Sequence, residues 1–217
     1  MRFPAAVALA GILLPLASAQ VAQEANRAYQ TKEGRDRMGR NLAEAGRDSK
    51  EKPTQLIQAM RIEPGMRVAD IGTGVGYMLP WLSRAVGDRG KVLAEDIFPD
   101  FIEKSRANAA AKHLSNIDFI LGTETDPRLP AASIDVALVL EVYHHFNYPA
   151  AMLKHIGEGL KPDGRLFIVD FHRTVGDKHI RLDADAVIRE VESNGFRLIS
   201  KEEHPSDNQY IAAFIKH

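Results

Sequence analysis

The stretch Val68-Ala69-Asp70-Ile71-Gly72-Thr73-Gly74-Val75-Gly76-Tyr77 decides the fold. A short apolar run closes on an acid, three glycines alternate with other residues, and Met78 to Val86 follows with apolar positions at helical spacing. This reads as a buried strand, a tight turn and a helix. Glycine lets backbone approach a ligand with no β-carbon in the way, and the helix start offers N–H groups that have no partner within the helix. The turn therefore suits a bound cofactor.

Working outward, strand-like and helical patterns alternate from Pro53 to the end. Strand-like runs are Arg67 to Ile71, Lys91 to Glu95, Ile117 to Leu121, Ile134 to Glu141, Arg165 to Phe171 and Arg197 to Lys201, with a last one at Gln209 to Ile215. Helical spacing occupies Met78 to Val86, Phe101 to His113, Ala150 to Leu160 and Ala184 to Ser193. A further helix starts at Pro53, with Leu56, Ile57 and Met60 on its apolar face. Gly87, Gly195 and a Pro162-Asp163-Gly164 turn punctuate the pattern. Such alternation predicts a parallel sheet with crossover helices, one α/β domain over residues 53–217. At the end only the polar turn His204 to Asn208 separates two strands, which predicts a hairpin.

Upstream, residues 20–52 mix Arg27, Lys32, Arg35, Arg37 and Arg40 with Glu24, Glu33, Asp36 and Glu44. They read as a helical extension with a solvated face, or as a lid whose apolar contacts are Tyr29 and Met38. Residues 1–19 differ again: Arg2 gives a basic start, Ala5 to Leu16 is nearly all apolar, and Ala17-Ser18-Ala19 has small residues at cleavage spacing. That is the three-part pattern of a secretory signal peptide. Spanning a bilayer takes about 20 apolar residues, and this run is shorter and contains Pro15, so no stable membrane span is expected once it is cleaved. The mature chain then begins at Gln20 and is periplasmic or secreted.

Formal net charge is −1, so bulk electrostatics advertise neither nucleic acid nor an anionic membrane as a partner. The absence of cysteine excludes disulfides and thiolate metal sites. No residues are read as metal ligands.

The glycine turn discriminates between cofactors. A dinucleotide turn wants Gly-x-Gly-x-x-Gly. Here the third glycine comes one place early at Gly76, and Tyr77 stands where that pattern needs Gly or Ala. Asp70 would repel a pyrophosphate and attract a sulfonium or an ammonium. The charge logic favours S-adenosylmethionine over NAD.

This Asp-x-Gly-x-Gly-x-Gly run resembles the first motif of the class I S-adenosylmethionine-dependent methyltransferases, and the resemblance extends from about Lys52 to the end. Within that class the chain is similar to the small methyltransferases of the ubiquinone and menaquinone biosynthesis type, including exported bacterial members, on its Val142-Tyr143-His144-His145-Phe146 ending and its Gly122 to Pro130 loop. The resemblance implies a Rossmann-like, seven-stranded, mostly parallel sheet with an antiparallel C-terminal strand and helices on both faces. It also implies methyl transfer to a small-molecule acceptor.

Site residues follow from it. Asp70, Gly72, Thr73, Gly74 and Gly76 form the cofactor turn. Asp96, ending the second strand, matches the ribose ligand, with Ile97 against the adenine, while Glu95 is read as a solvent-exposed strand-end acid. Thr123 replaces the acid usual in the family's Gly-Asp-Ala, so adenine recognition passes to Glu124 or to main chain. Glu141 contacts the cofactor's amino end through its backbone. Tyr143, His144 and His145 end the fourth strand, where α/β enzymes place chemistry, and are the catalytic candidates, histidine being readily poised as a base near neutral pH. If strand alternation persists, Tyr143 and His145 share one side and His144 faces the other. Asp170 and His172 point toward the pocket or lie in a surface loop. Two other readings are a noncatalytic cofactor-binding scaffold, against which the intact Asp70, glycines and Asp96 argue, and a nucleotide-dependent oxidoreductase, against which Tyr77 argues.

Overall fold

The computed structural model describes residues 21–44, 46–206 and 208–217. The expected signal segment, residues 1–19, lies outside them. Short N-terminal helices come first: α1 (Gln23–Asn26), a 3₁₀ turn (Arg27–Tyr29), α2 (Lys32–Leu42) and α3 (Arg47–Glu51). Thr31 caps α2, its hydroxyl accepting the Gly34 N–H at 3.1 Å, a contact worth about 1 kcal/mol. The domain proper begins with α4 (Pro53–Ala59) and runs β1 (Arg67–Ile71), α5 (Leu79–Val86), β2 (Lys91–Asp96), α6 (Pro99–Ala111), β3 (Ile117–Leu121) and β4 (Ile134–Leu140). After a 3₁₀ turn at Tyr143–His145 come α7 (Pro149–Gly159), β5 (Leu160–Phe171), α8 (Ala184–Glu192), β6 (Phe196–Glu203) and β7 (Gln209–Lys216).

The seven strands line up as β3-β2-β1-β4-β5-β7-β6. β1 to β5 pair in parallel, and β7 inserts antiparallel between β5 and β6. This is the expected Rossmann-like sheet. Alternation along the strands separates two cores. Val68, Val92 and Leu138 face one side with Leu56 of α4 and Leu79 and Leu82 of α5. Ala69, Leu93 and Val139 face the other, with Leu153 of α7 and Val187 of α8. Helix spacing produces this packing: in α5, Leu79, Leu82, Ser83 and Val86 are the buried stripe, and each fully buried Leu contributes roughly 1.5–3 kcal/mol.

One expected turn is absorbed into a strand. Pro162-Asp163-Gly164 lies inside β5, whose register with β4 jumps from Ile134↔Leu160 to Val136↔Arg165. The extra residues bulge out while pairing resumes on both sides, because a paired flank on β4 is available before and after them. Strand order reverses between β1 and β4. At such a switch point the connections leave in opposite directions and open a crevice at the carboxyl ends.

Candidate active site

That crevice is a cavity of about 660 Å³, within the range usual for small-molecule sites. Its floor is the glycine turn. Gly72, Gly74 and Gly76 all have positive φ (71°, 56° and 84°), the left-handed region in which only glycine is unstrained. The turn is pinned to β2: Thr73 N–H donates to the Glu95 carbonyl at 2.8 Å and Gly74 N–H to Asp96 Oδ2 at 2.9 Å. Gly72 and Gly74 line the cavity with Thr73, but Gly76 does not. A β-carbon on Gly76 would meet Leu79 Cδ1 at 2.8 Å, so this glycine serves helix packing.

Three carboxylates crowd this end. Asp70 accepts the Thr73 hydroxyl at 2.7 Å, and burial pushes its carboxyl up to about 6. Asp96 is also pushed up to about 6 by burial, against the pull of N–H donors from Phe98, Gly74 and Ile97. Glu95, expected to face solvent, is 1% exposed and lines the cavity. It sits inside because β2 alternation points it to the same side as buried Leu93, and because position 122 has no side chain. A β-carbon on Gly122 would lie 1.9 Å from Glu95 Oε1. Glu95 Oε2 accepts the Gly72 N–H at 3.3 Å, while Oε1 has no hydrogen-bond partner among the described residues. Burial, followed by the charge of Asp96, holds this carboxyl well above the usual range.

Ile97 and Phe98 continue the wall, and Glu124 reaches it from the loop after β3, holding Asn147 Nδ2 at 2.8 Å. Thr123 lies outside the lining. Its hydroxyl accepts the Asp126 N–H at 3.0 Å and closes that loop.

The far end is built where β4 stops. Glu141 has φ 56°, a strained value for a non-glycine residue, and its N–H still donates to the Val169 carbonyl at 2.7 Å. Its side chain accepts from Arg47 Nη2 at 2.8 Å and Gln209 Nε2 at 2.6 Å. Beyond it the chain turns as a 3₁₀ helix, and about three residues per turn replace the alternation of a strand. The consequence corrects the expected arrangement. His144 and His145 both line the cavity, with ring centroids 4.1 Å apart. Tyr143 turns under α8 instead, donating its hydroxyl to Glu190 at 2.7 Å, and is absent from the lining.

The two histidines are held differently. His144 Nδ1 lies 2.7 Å from Asp170 Oδ1, and a carboxylate only accepts, so Nδ1 carries the hydrogen. His145 Nδ1 lies 2.9 Å from Asn26 Oδ1 while Asn26 Nδ2 donates to the His145 carbonyl at 2.9 Å. Burial, with the neighbouring His144 and His179, pushes the His145 imidazole well below its ordinary range. His172 stays on the surface and pairs with Glu203 at 2.7 Å.

Residues before Pro53 roof the cavity: Asn26, Tyr29, Met38, Leu42, Arg47 and Glu51 are among its lining. Tyr29 stacks on Phe98 at 6.0 Å and meets His145 edge-on at 5.0 Å. Arg47, His179 and Asn26 were not singled out from the sequence, since nothing local marks an arginine, a loop histidine or an asparagine that reaches a distant site.

A family model described as a methyltransferase domain matches residues 39–206. The chain belongs to that family. This methyltransferase-family chain is 30% identical to nocamycin O-methyltransferase of Saccharothrix syringae over 52% of its own length and 40% of that protein. It is 26% identical to the ubiquinone/menaquinone biosynthesis C-methyltransferase of Shewanella frigidimarina over 53% of its length and 46% of that protein. The chain thus spans less than half of these curated relatives. In architecture it resembles a SAM-dependent methyltransferase from Aquifex aeolicus, with a TM-score of 0.77 and 23% identity over 83% of this chain and 97% of that one.

Proposed function

We propose that the chain transfers the methyl group of S-adenosylmethionine to a small-molecule acceptor in this cavity. One observation carries the reading: Asp70, Glu95 and Asp96 are buried together around the glycine turn, with Glu95 Oε1 left without a hydrogen-bond partner among the described residues. Buried carboxylates without cations are costly. A ligand bearing a sulfonium and an ammonium offsets that cost, and a pyrophosphate would add to it.

S-adenosylmethionine supplies an electrophilic methyl carbon on sulfonium sulfur. The chain's own residues bind and orient. Asp96 Oδ2 accepts the Gly74 N–H and Oδ1 the Phe98 N–H, and the carboxylate has lone-pair capacity left for a ribose hydroxyl. Asp70 and the Glu141 main chain serve the amino-acid end, and Ile97 with Glu124 the adenine. His144 and His145 face the acceptor, where an imidazole nitrogen takes up the proton of an O–H or N–H nucleophile. Tyr29, Met38 and Leu42 exclude water above it. Holding two reactants in line supplies roughly 7–11 kcal/mol of a barrier, so positioning dominates.

Mass spectrometry of the ligand retained by purified protein, with calorimetric titration of S-adenosylmethionine and NAD, tests the cofactor. S-adenosylmethionine binding without NAD binding supports the reading, and the reverse overturns it. A panel of phenols, quinol precursors and small amines, with demethylated cofactor as readout, tests transfer. Cofactor binding without turnover on any acceptor would favour a noncatalytic scaffold.

Export belongs to the same proposal: its support is the sequence of residues 1–19, with the mature chain starting at Gln20. Among the described residues no helix is long and apolar enough to cross a membrane.

A further inference from the structure

The histidine end of the cavity holds a third imidazole. His179, from the loop between β5 and α8, packs with its ring centroid 4.9 Å from that of His144 and 5.3 Å from that of His145. One ring nitrogen from each of the three lies within 4.8 Å of the others. We propose that His144, His145 and His179 hold a divalent transition-metal ion, of which zinc is the reference, at the acceptor end of the cavity.

The tautomers carry the argument. Nδ1 of His144 donates to Asp170 and Nδ1 of His145 donates to Asn26, so the lone pair of each ring is on Nε2. A metal-bound histidine usually has this arrangement, with the outer nitrogen on a carboxylate or amide oxygen that fixes the ring and raises its basicity. Asp170 is 2% exposed and also accepts the His144 N–H through Oδ2 at 3.0 Å, so the anchor does not swing. His179 stands in an organised loop: Asp177 Oδ1 accepts the N–H groups of His179 and Ile180 at 2.8 and 3.1 Å, and Arg173 Nε donates to the Ile180 carbonyl at 2.9 Å.

Chemistry selects the metal. Three neutral nitrogens and no thiolate suit zinc and its neighbours rather than magnesium or calcium, which take oxygen. Zn–N bonds are about 2.0–2.1 Å, so the nitrogens must draw closer than their present spacing. His179, the exposed member, can close the set by rotating its ring. Three histidines leave a fourth position open, and it faces the cavity that all three rings line. On the methyl-transfer reading with metal bound, that position takes an oxygen of the acceptor and lowers its pKa, so the metal replaces the imidazole base and the acceptor's proton passes to solvent. That last part rests on the proposed function, whereas metal binding does not.

The test uses the untagged full chain, stripped with chelator and titrated with zinc chloride against a chromophoric competitor. The expected result is one saturating site per chain, with affinity reduced at least tenfold in His179→Ala and about tenfold in Asn26→Ala, the size usual for losing an outer anchor. Melting of the metal-free His179→Ala protein stays near wild type because the side chain is exposed. Cobalt substituted at the site should give the visible absorption of nitrogen-ligated tetrahedral metal, lost in the same variants. Absence of saturable binding, or wild-type affinity in both His179→Ala and His145→Ala, overturns the site. S-adenosylmethionine binding is measured separately on the metal-free chain, so failure of the metal site and failure of the methyl-transfer reading give different results.

Discussion

Asp170 grips His144 twice, its Oδ1 accepting ring Nδ1–H at 2.7 Å and its Oδ2 accepting the His144 backbone N–H at 3.0 Å. Both residues are nearly sealed from solvent. His144→Ala therefore strips a buried carboxylate of a charged hydrogen bond, a loss of about 1–3 kcal/mol, or several degrees in Tm for a chain of this size. The His145 ring is hydrogen-bonded to the neutral amide of Asn26, not to a buried carboxylate, and packs against Tyr29. His145→Ala should keep a near-normal melting temperature and lose turnover at least ~100-fold. Calorimetry paired with turnover on the acceptor found by screening separates the two. Equal melting temperatures for both variants would contradict the Asp170 clamp.

Asp96 both lines the cavity and accepts the N–H groups of Gly74 and Phe98. Asp96→Ala should weaken S-adenosylmethionine binding by at least tenfold, since a charged hydrogen bond is worth ~1.5–3 kcal/mol. It should also lower the melting temperature, because the glycine turn loses its pin. Titration calorimetry and thermal melts check this, and unchanged affinity removes Asp96 from the site.

Burial raises the Asp70 carboxyl from 3.8 to about 6. The folded state then binds its proton more tightly than the unfolded chain, so this group's contribution to stability is full below pH 3.8 and is lost as pH rises through about 6. Asp70→Asn keeps a neutral side chain at every pH. In the ligand-free protein the variant should match wild type near pH 4 and gain on it by pH 8, by roughly 3 kcal/mol at most. Calorimetry at both values decides, and a constant difference would mean that Asp70 is not a buried charge. S-adenosylmethionine binding by the variant should be weakened most at pH 8.

Arg47 ties the roof to the domain: its guanidinium bonds Glu141 at 2.8 Å, approaches Glu51 at 3.7 Å and sits 4.2 Å over the Tyr77 ring. The Arg47–Glu141 pair is partly buried, so losing it costs less than the roughly 3–5 kcal/mol of a fully buried pair. Arg47→Ala should speed amide hydrogen exchange and proteolysis in α3 with much smaller changes in β1 and β4. Uniform protection across the chain would refute the clasp.

Export predicts that protein recovered from its native host starts at Gln20 and lies outside the cytoplasmic membrane. N-terminal sequencing of fractionated cells is the measurement. A soluble cytosolic species that retains Met1 would end that reading.

The sequence by itself determined the order of strands and helices, the glycine turn and the acids that close β1 and β2. Each depends on a short-range pattern: alternation for strands, helical spacing such as Leu79, Leu82 and Val86, and glycine where φ turns positive. Only the tertiary structure decided which of these residues meet. Glu95 turns inward because Gly122, on the next strand's loop, leaves room for its carboxylate. Tyr143 leaves the site and both histidines enter it because β4 ends in a 3₁₀ turn, where the two-residue period fails. Asn26, Arg47 and His179 reach the cavity from remote parts of the chain. Their placement is set by packing between distant elements, which no local periodicity encodes.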